Sequence, residues 1–220
     1  MSSKNFYNMK KKILLIFVSH ASFFISHRLE LALVAKKKGY DVKIVLGELD
    51  ADLKILEEEQ IDYFYLPVYR GSLNPLKDLK SIFLIYRLFK KIKPDIVHLV
   101  TIKPYLYGGL IARITKVPSV VSAISGLGSM FIDESFKNNF LRILFYPLYK
   151  FAFNHSNQFI VIQNYDDAKL LQNWGVLNFN KIKFVNGSGV NLKKFSMIKE
   201  LNTKLPIVCF AARLLRDKGI

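Results

Sequence analysis

Lys10-Lys11-Lys12-Ile13-Leu14-Leu15-Ile16-Phe17-Val18-Ser19-His20 is the stretch that decides the fold. Three lysines ahead of an apolar run imitate a secretory leader, but six apolar residues fall short of the ~7–15 that a leader's core uses. The run reads instead as a first β-strand, apolar throughout because both of its faces are covered. Similar runs recur at Val42 to Leu46, Tyr63 to Leu66, Ile96 to Leu99, Ser119 to Ala123, Phe159 to Ile162 and Ile182 to Val185. Helix-like segments fall between them: 26–38, 51–59, 75–92, 105–115, 137–155 and 166–174. Strand and helix alternating over short connections predicts βαβ units and a doubly wound, mainly parallel, Rossmann-like α/β sheet.

A formal charge of +16 on 220 residues points to an anionic partner: phosphorylated substrates, acidic lipid headgroups or nucleic acid. The lysines are scattered over 10–12, 36–38 and 90–93, and no helix-turn-helix, RNP or zinc pattern accompanies them, so nucleic acid is excluded. Cys209 is the only cysteine, which rules out a disulfide framework and fits a reducing, cytoplasmic compartment. No run of about 18 apolar residues exists, so any membrane contact is peripheral. Among the four histidines no HxxxH or HExxH spacing occurs, and no metal site is expected.

Sheets of this kind bind ligands beyond the carboxyl ends of their strands. That selects the segments 19–25, 100–104, 124–133 and 186–190. Ser125-Gly126-Leu127-Gly128-Ser129 has two glycines that admit a sugar or phosphate close to the backbone, or simply turn the chain. No GxGxxG follows the first strand, which argues against a dinucleotide cofactor. Gly187 and Gly189 read as a hinge, or as the turn that closes the domain. His20 stands where a substrate would lie, whereas His98, inside a strand, reads as a satisfied core histidine. Arg213 and Lys218 follow the run Ile207 to Ala212, which reads as a further strand leading into a phosphate-facing loop or a solvated basic turn. Segment 137–155 is apolar nearly all round, which is read as burial in preference to contact with a membrane surface, with Pro147 kinking or breaking the helix.

With these motifs in hand, the chain resembles the N-terminal half of a family 4, retaining glycosyltransferase of the GT-B fold. The resemblance rests on Val18-Ser19-His20, Ser72-Leu73-Asn74-Pro75, Gly126-Leu127-Gly128, Gly189-Val190-Asn191 with Phe195, and Arg213 through Lys218-Gly219. It implies transfer of a hexose or N-acetylhexosamine from a UDP-sugar to a polyprenyl-diphosphate-linked glycan in capsule, O-antigen or N-glycan assembly, with no cofactor. It implies that Ser19, His20, Ser125, Gly126, Gly128 and Ser129 line the acceptor side. It gives Arg213 and Lys218 the donor diphosphate, and it places the protein peripherally on the anionic inner face of the cell membrane. The family's usual histidine after the fifth strand has no counterpart in Ile124-Ser125-Gly126, so no catalytic residue is named. The expected organisation is an acceptor-side domain at 1–195, a linker at 196–205 and a truncated start of the nucleotide-sugar domain at 206–220. The paired glutamates of the family's C-terminal domain are absent, so the chain alone is expected to lack a donor site. The alternative is a non-enzymatic basic module that binds lipid diphosphates or a separate C-terminal partner.

Overall fold

The computed structural model describes residues 11–68, 74–131, 135–193, 195–197 and 205–211, the side chain of Ser129 apart. The chain divides after Gly189 into a large unit and a small one, 190–220. In the first, seven strands form one sheet: β1 (Ile13–His20), β2 (Asp41–Glu48), β3 (Asp62–Tyr65), β4 (Ile96–Val100), β5 (Ser119–Ile124), β6 (Gln158–Ile162) and β7 (Ile182–Phe184). Their order is β3-β2-β1-β4-β5-β6-β7, and every neighbouring pair is parallel. Each of the seven apolar runs is a strand. β1 is central, and Leu15, Ile16, Phe17 and Val18 have no solvent exposure, which is why their sequence does not alternate.

Right-handed crossovers that run outward in both directions from β1 must put their helices on opposite faces. One face carries α1 (Ala21–His27), α2 (Leu29–Lys37) and α3 (Lys54–Glu58), packed through Phe24, Ala32 and Leu56 onto Ile16, Val18, Ile44 and Leu46. The other carries α4 (Pro75–Ile92), a π-helical turn at Pro104–Gly108 continuing into α5 (Gly109–Ile114), α6 (Phe136–Ala152) and α7 (Tyr165–Asn173). Ile85, Phe89, Ile111, Tyr149, Ala152 and Leu171 close that second core over Leu15, Phe17, Val97 and Leu99. Trp174 completes it edge-on to Tyr149 (ring centroids 5.0 Å apart), Phe131 (5.2 Å) and Tyr146 (5.7 Å), the geometry that aromatic quadrupoles favour.

Three expectations are corrected. Segment 26–38 is not one helix: Arg28, at φ −131°, separates α1 from α2, and α1 begins at Ala21, directly after β1. α6 runs unbroken through Pro147 and is not buried. Only Tyr149 and Ala152 are buried within it, while Phe136 (89% exposed), Phe140, Ile143 (74%), Leu144 and Phe151 face outward. A single layer of helix covers this face of the sheet, so among the described residues one side of α6 is left uncovered. Finally, residues 207–211 form no strand; Ile207, Val208 and Phe210 are exposed, as is Cys209, and among the described residues no strand pairs with them.

Candidate functional site

The carboxyl ends of β1, β4 and β5 converge on one rim. Register sets the first group: His20 of β1 stands opposite Glu48 of β2, and its Nδ1 lies 3.3 Å from the Glu48 carboxylate and 3.7 Å from that of Asp50. Asp50 in turn accepts hydrogen bonds from the Ser22 backbone N–H (3.0 Å) and hydroxyl (2.6 Å). Partial burial works against its charge, but the Ser22 bonds outweigh that and hold its carboxyl below the ordinary range. The carboxylates favour the tautomer with the proton on Nδ1. His20 Nε2 has no partner among the described residues.

Ser19 is the neighbouring group. Its Oγ lies 2.6 Å from Thr101 Oγ1, and its backbone N–H donates to the same oxygen at 3.3 Å. Thr101 sits at φ +74°, a conformation that costs a β-branched residue about 1–3 kcal/mol and persists only where its surroundings enforce it. Close packing of β2 contributes: a Cβ on Gly47 would lie 2.7 Å from the Ser19 carbonyl oxygen, so only glycine lets the strands approach there. Removing the hydroxyl in Ser19→Ala is expected to cost about 1–2 kcal/mol in urea unfolding. In a double-mutant cycle with Thr101→Val the two losses should fail to add, because they remove the same bond.

The residues after Thr101 link β4 to the glycine loop of β5. Ile102 Cδ1 lies 2.7 Å from where a Cβ on Gly128 would be, and Gly128 has φ +77°, so a side chain at 128 is opposed by both space and backbone. Ser125, Gly126 and Gly128 are exposed at this rim. Lys103 is neutralised by Asp78 of α4 at 2.5 Å. Tyr107 lies beneath Lys103, and burial, with Asp78 adding to it, raises its hydroxyl well above the ordinary phenol range.

The structure brings Ser19, His20, Ser125, Gly126 and Gly128 to the strand ends that the sequence indicates. Gly187 and Gly189 follow β7 with φ +89° and +72°. Ser129 opens a 3₁₀ turn, and Arg213 and Lys218 lie outside the described residues. Thr101 lies in the selected segment 100–104 without having been singled out there, and Glu48 and Asp50 escaped sequence reasoning, since only the alignment of β1 with β2 brings them beside His20. Among the described residues no cluster of three or more metal-ligating side chains occurs.

His98, on β4, pairs in register with Ile16 and therefore faces α1 and α2. It is 92% buried, as expected of a core histidine, but it is not satisfied: Nε2 has no partner among the described residues. Burial, reinforced by the charge of Arg28, pushes its pKa from 6.5 down to about 4. The unfolded chain therefore binds a proton that the folded chain refuses between those values. Stability present above pH 6.5 is lost as pH falls toward 4, by on the order of 3 kcal/mol. Melting curves between pH 6.5 and 5 should show this slope, and His98→Gln should flatten it.

The rim is bordered by α4 and α6, whose first turns follow the crevice ends of β3 and β5. Asn74 caps α4, accepting from the backbone N–H groups of Leu76 and Lys77 with Pro75 at the first helical position. Leu76, Leu79 and Phe83 of α4 are exposed at three- and four-residue spacing, as are Phe136, Phe140, Ile143 and Leu144 of α6. Lys77, Lys80, Lys137 and Lys150 stand exposed around them, Lys150 donating to the Tyr146 hydroxyl at 3.1 Å. No helix of the described residues is long and apolar enough to cross a membrane.

A parallel, doubly wound sheet with its polar groups gathered at the strand ends defines a Rossmann-type ligand-binding domain. Comparison with known proteins takes this further. Residues 12–164 match the family model described as glycosyl transferase 4-like, and the chain belongs to that family. It is 33% identical over 216 residues to the N,N'-diacetylbacillosaminyl-diphospho-undecaprenol alpha-1,3-N-acetylgalactosaminyltransferase of Campylobacter jejuni, which covers 93% of this chain and 57% of that enzyme. It is 28% identical to the UDP-Gal:alpha-D-GlcNAc-diphosphoundecaprenol alpha-1,3-galactosyltransferase of Escherichia coli, covering 71% of this chain and 39% of the relative. The chain thus spans about half the length of the relatives it matches. Among solved structures, a Rickettsia africae glycosyltransferase superposes with a TM-score of 0.57 at 23% identity, over 86% of this chain and 46% of that one, and so shares the fold.

Proposed function

We propose that this chain is the acceptor-side part of a glycosyltransferase that moves a hexose or N-acetylhexosamine from a UDP-sugar to a polyprenyl-diphosphate-linked glycan at the inner face of the cell membrane. The observation that carries the reading is that α4 and α6 each expose apolar side chains together with lysines, and that both helices begin at the same end of the sheet as the polar rim. Such surfaces suit a bilayer with anionic headgroups: side chains enter the acyl boundary while ammonium groups reach phosphates. An acceptor whose lipid stays in that bilayer then presents its first sugars at the height of Ser19, His20 and the 125–129 loop. Two relatives whose names specify undecaprenyl-diphosphate-linked acceptors support the same class.

In this reading His20, its ring fixed by Glu48 and Asp50, helps shape the acceptor side of the rim. The glycines at 126 and 128 let the sugar approach the backbone. Arg213 and Lys218 stabilise the charge that develops on the leaving diphosphate, with retention of the anomeric configuration as the family resemblance implies. The test is to incubate the protein with a panel of radiolabelled UDP-hexoses and UDP-N-acetylhexosamines and undecaprenyl-diphosphate-linked mono- and disaccharides, and to follow label into the lipid fraction. With a donor-side half supplied, label entering the lipid fraction with one donor is the expected result, and the acceptor-side part alone should bind the glycan lipid without transfer. Binding with no transfer from any donor even when the donor-side half is present would leave a binding module.

A further inference from the structure

Arg142 interrupts the apolar run of α6 and is half-buried, whereas Phe140, Ile143 and Leu144 around it are exposed. Its Nε donates to the Met130 carbonyl at 3.0 Å, and its guanidinium lies 5.6 Å from the centroid of the Phe131 ring. Nη1 donates to the side-chain oxygen of Asn139, three residues earlier on the helix, at 3.1 Å. Phe131 is edge-on to Trp174 (5.2 Å) and Tyr149 (6.2 Å), and its backbone N–H donates to the Gly128 carbonyl at 3.2 Å. Direct contacts therefore lead from α6 through the 129–131 turn to the glycine loop. Within that loop Leu127 is buried, while Ser125, Gly126 and Gly128 are exposed. Two glycines give such a backbone wide conformational freedom, so its shape depends on what anchors its ends.

We propose that Arg142 is a positioning residue for the acceptor: by holding the Met130 carbonyl and the Phe131 ring it keeps the backbone of 125–128 in the shape that receives the glycan. The role rests on the acceptor-side reading above. It falls to a residue on a helix flank, away from the strand ends that topology singles out. Arginine suits it because one planar group serves three contacts, with Nε–H toward the carbonyl, Nη1 toward Asn139 and the delocalised charge over the aromatic ring. Lysine, a point donor on a flexible stem, cannot make all three at once. The tie also joins the loop to the stretch of α6 that exposes Phe140, Ile143 and Leu144, so glycan and bilayer are met by one supporting element.

Two measurements on the whole chain test this. Without any lipid, hydrogen exchange at the Phe131 amide should be at least tenfold faster in Arg142→Gln and in Arg142→Lys, with the amides of α6 unchanged as the sign that the fold is kept. With anionic liposomes at high salt, where the lost charge is screened, binding to vesicles free of glycan should stay within about twofold in both variants. The gain in binding from undecaprenyl-diphosphate-linked mono- and disaccharides should fall at least fivefold in Arg142→Gln and recover only in part in Arg142→Lys. Unchanged exchange at Phe131 would overturn the proposal whatever the acceptor is. Faster exchange with the glycan gain intact would reduce Arg142 to a structural tie, and full recovery by lysine would make its charge, and not its geometry, what matters; either result overturns the positioning role. A glycan gain absent from the unsubstituted protein would refute the acceptor-side reading itself, and the role with it.

Discussion

Replacing Phe140 and Ile143 together by glutamate is expected to lower partitioning onto anionic liposomes by at least about 100-fold, with no loss of fold. Each apolar side chain that enters the acyl boundary contributes about 1.5–3 kcal/mol, and each new carboxylate adds repulsion from acidic headgroups. Both residues are exposed on α6, and exposed substitutions usually change stability by within about 0.5 kcal/mol, so melting temperature should stay nearly constant while sedimentation with vesicles collapses. Lys77→Gln/Lys80→Gln on α4 should act differently, weakening binding a few-fold at low ionic strength and little at high salt, since charge reaching headgroups is screened and apolar burial is not. Loss of fold in the double glutamate variant, or unchanged binding, would show that the α6 face packs against protein instead.

The second large effect concerns transfer itself. In the active enzyme, Arg213→Ala is expected to lower kcat by roughly 100- to 1,000-fold, the usual loss when one preorganised group that stabilises developing charge is removed. Lysine at 213 should recover only part of this, because a point charge does not reproduce the planar fork that grips two phosphate oxygens. A fall confined to KM would mean that Arg213 holds ground state and transition state equally, making it a binding residue with no role in the chemical step.

The sheet was legible because strands covered on both faces have to be continuous apolar runs, and the segments between them are too long for hairpins; Ile13 to Val18 alone implies layers on either side. The crevice loops followed from topology, so Ser19, His20 and Gly128 were named. What the sequence hid depends on register and on which neighbours exist. Thr101 carries no sequence mark of its left-handed backbone, and Glu48 and Asp50 become partners of His20 only when β1 and β2 align. The apolar composition of α6 gave no way to say which side is covered, and its bare face emerges only once one layer of helices is in place. Ile207 to Ala211 has strand composition, yet a strand requires a partner as much as a propensity. Arg28 falls inside the segment 26–38 that reads as one helix, and nothing in the sequence marks its burial.

The most direct test of the account is sedimentation of the purified protein with anionic liposomes, with and without undecaprenyl-diphosphate-linked glycan, across a salt series. Binding that is strengthened by the glycan lipid, and that keeps an Ile143- and Phe140-dependent component at high salt, is the result expected of an acceptor-side domain working at the membrane. Binding that is indifferent to the glycan lipid and vanishes with salt would contradict it, leaving a basic surface with no acceptor site.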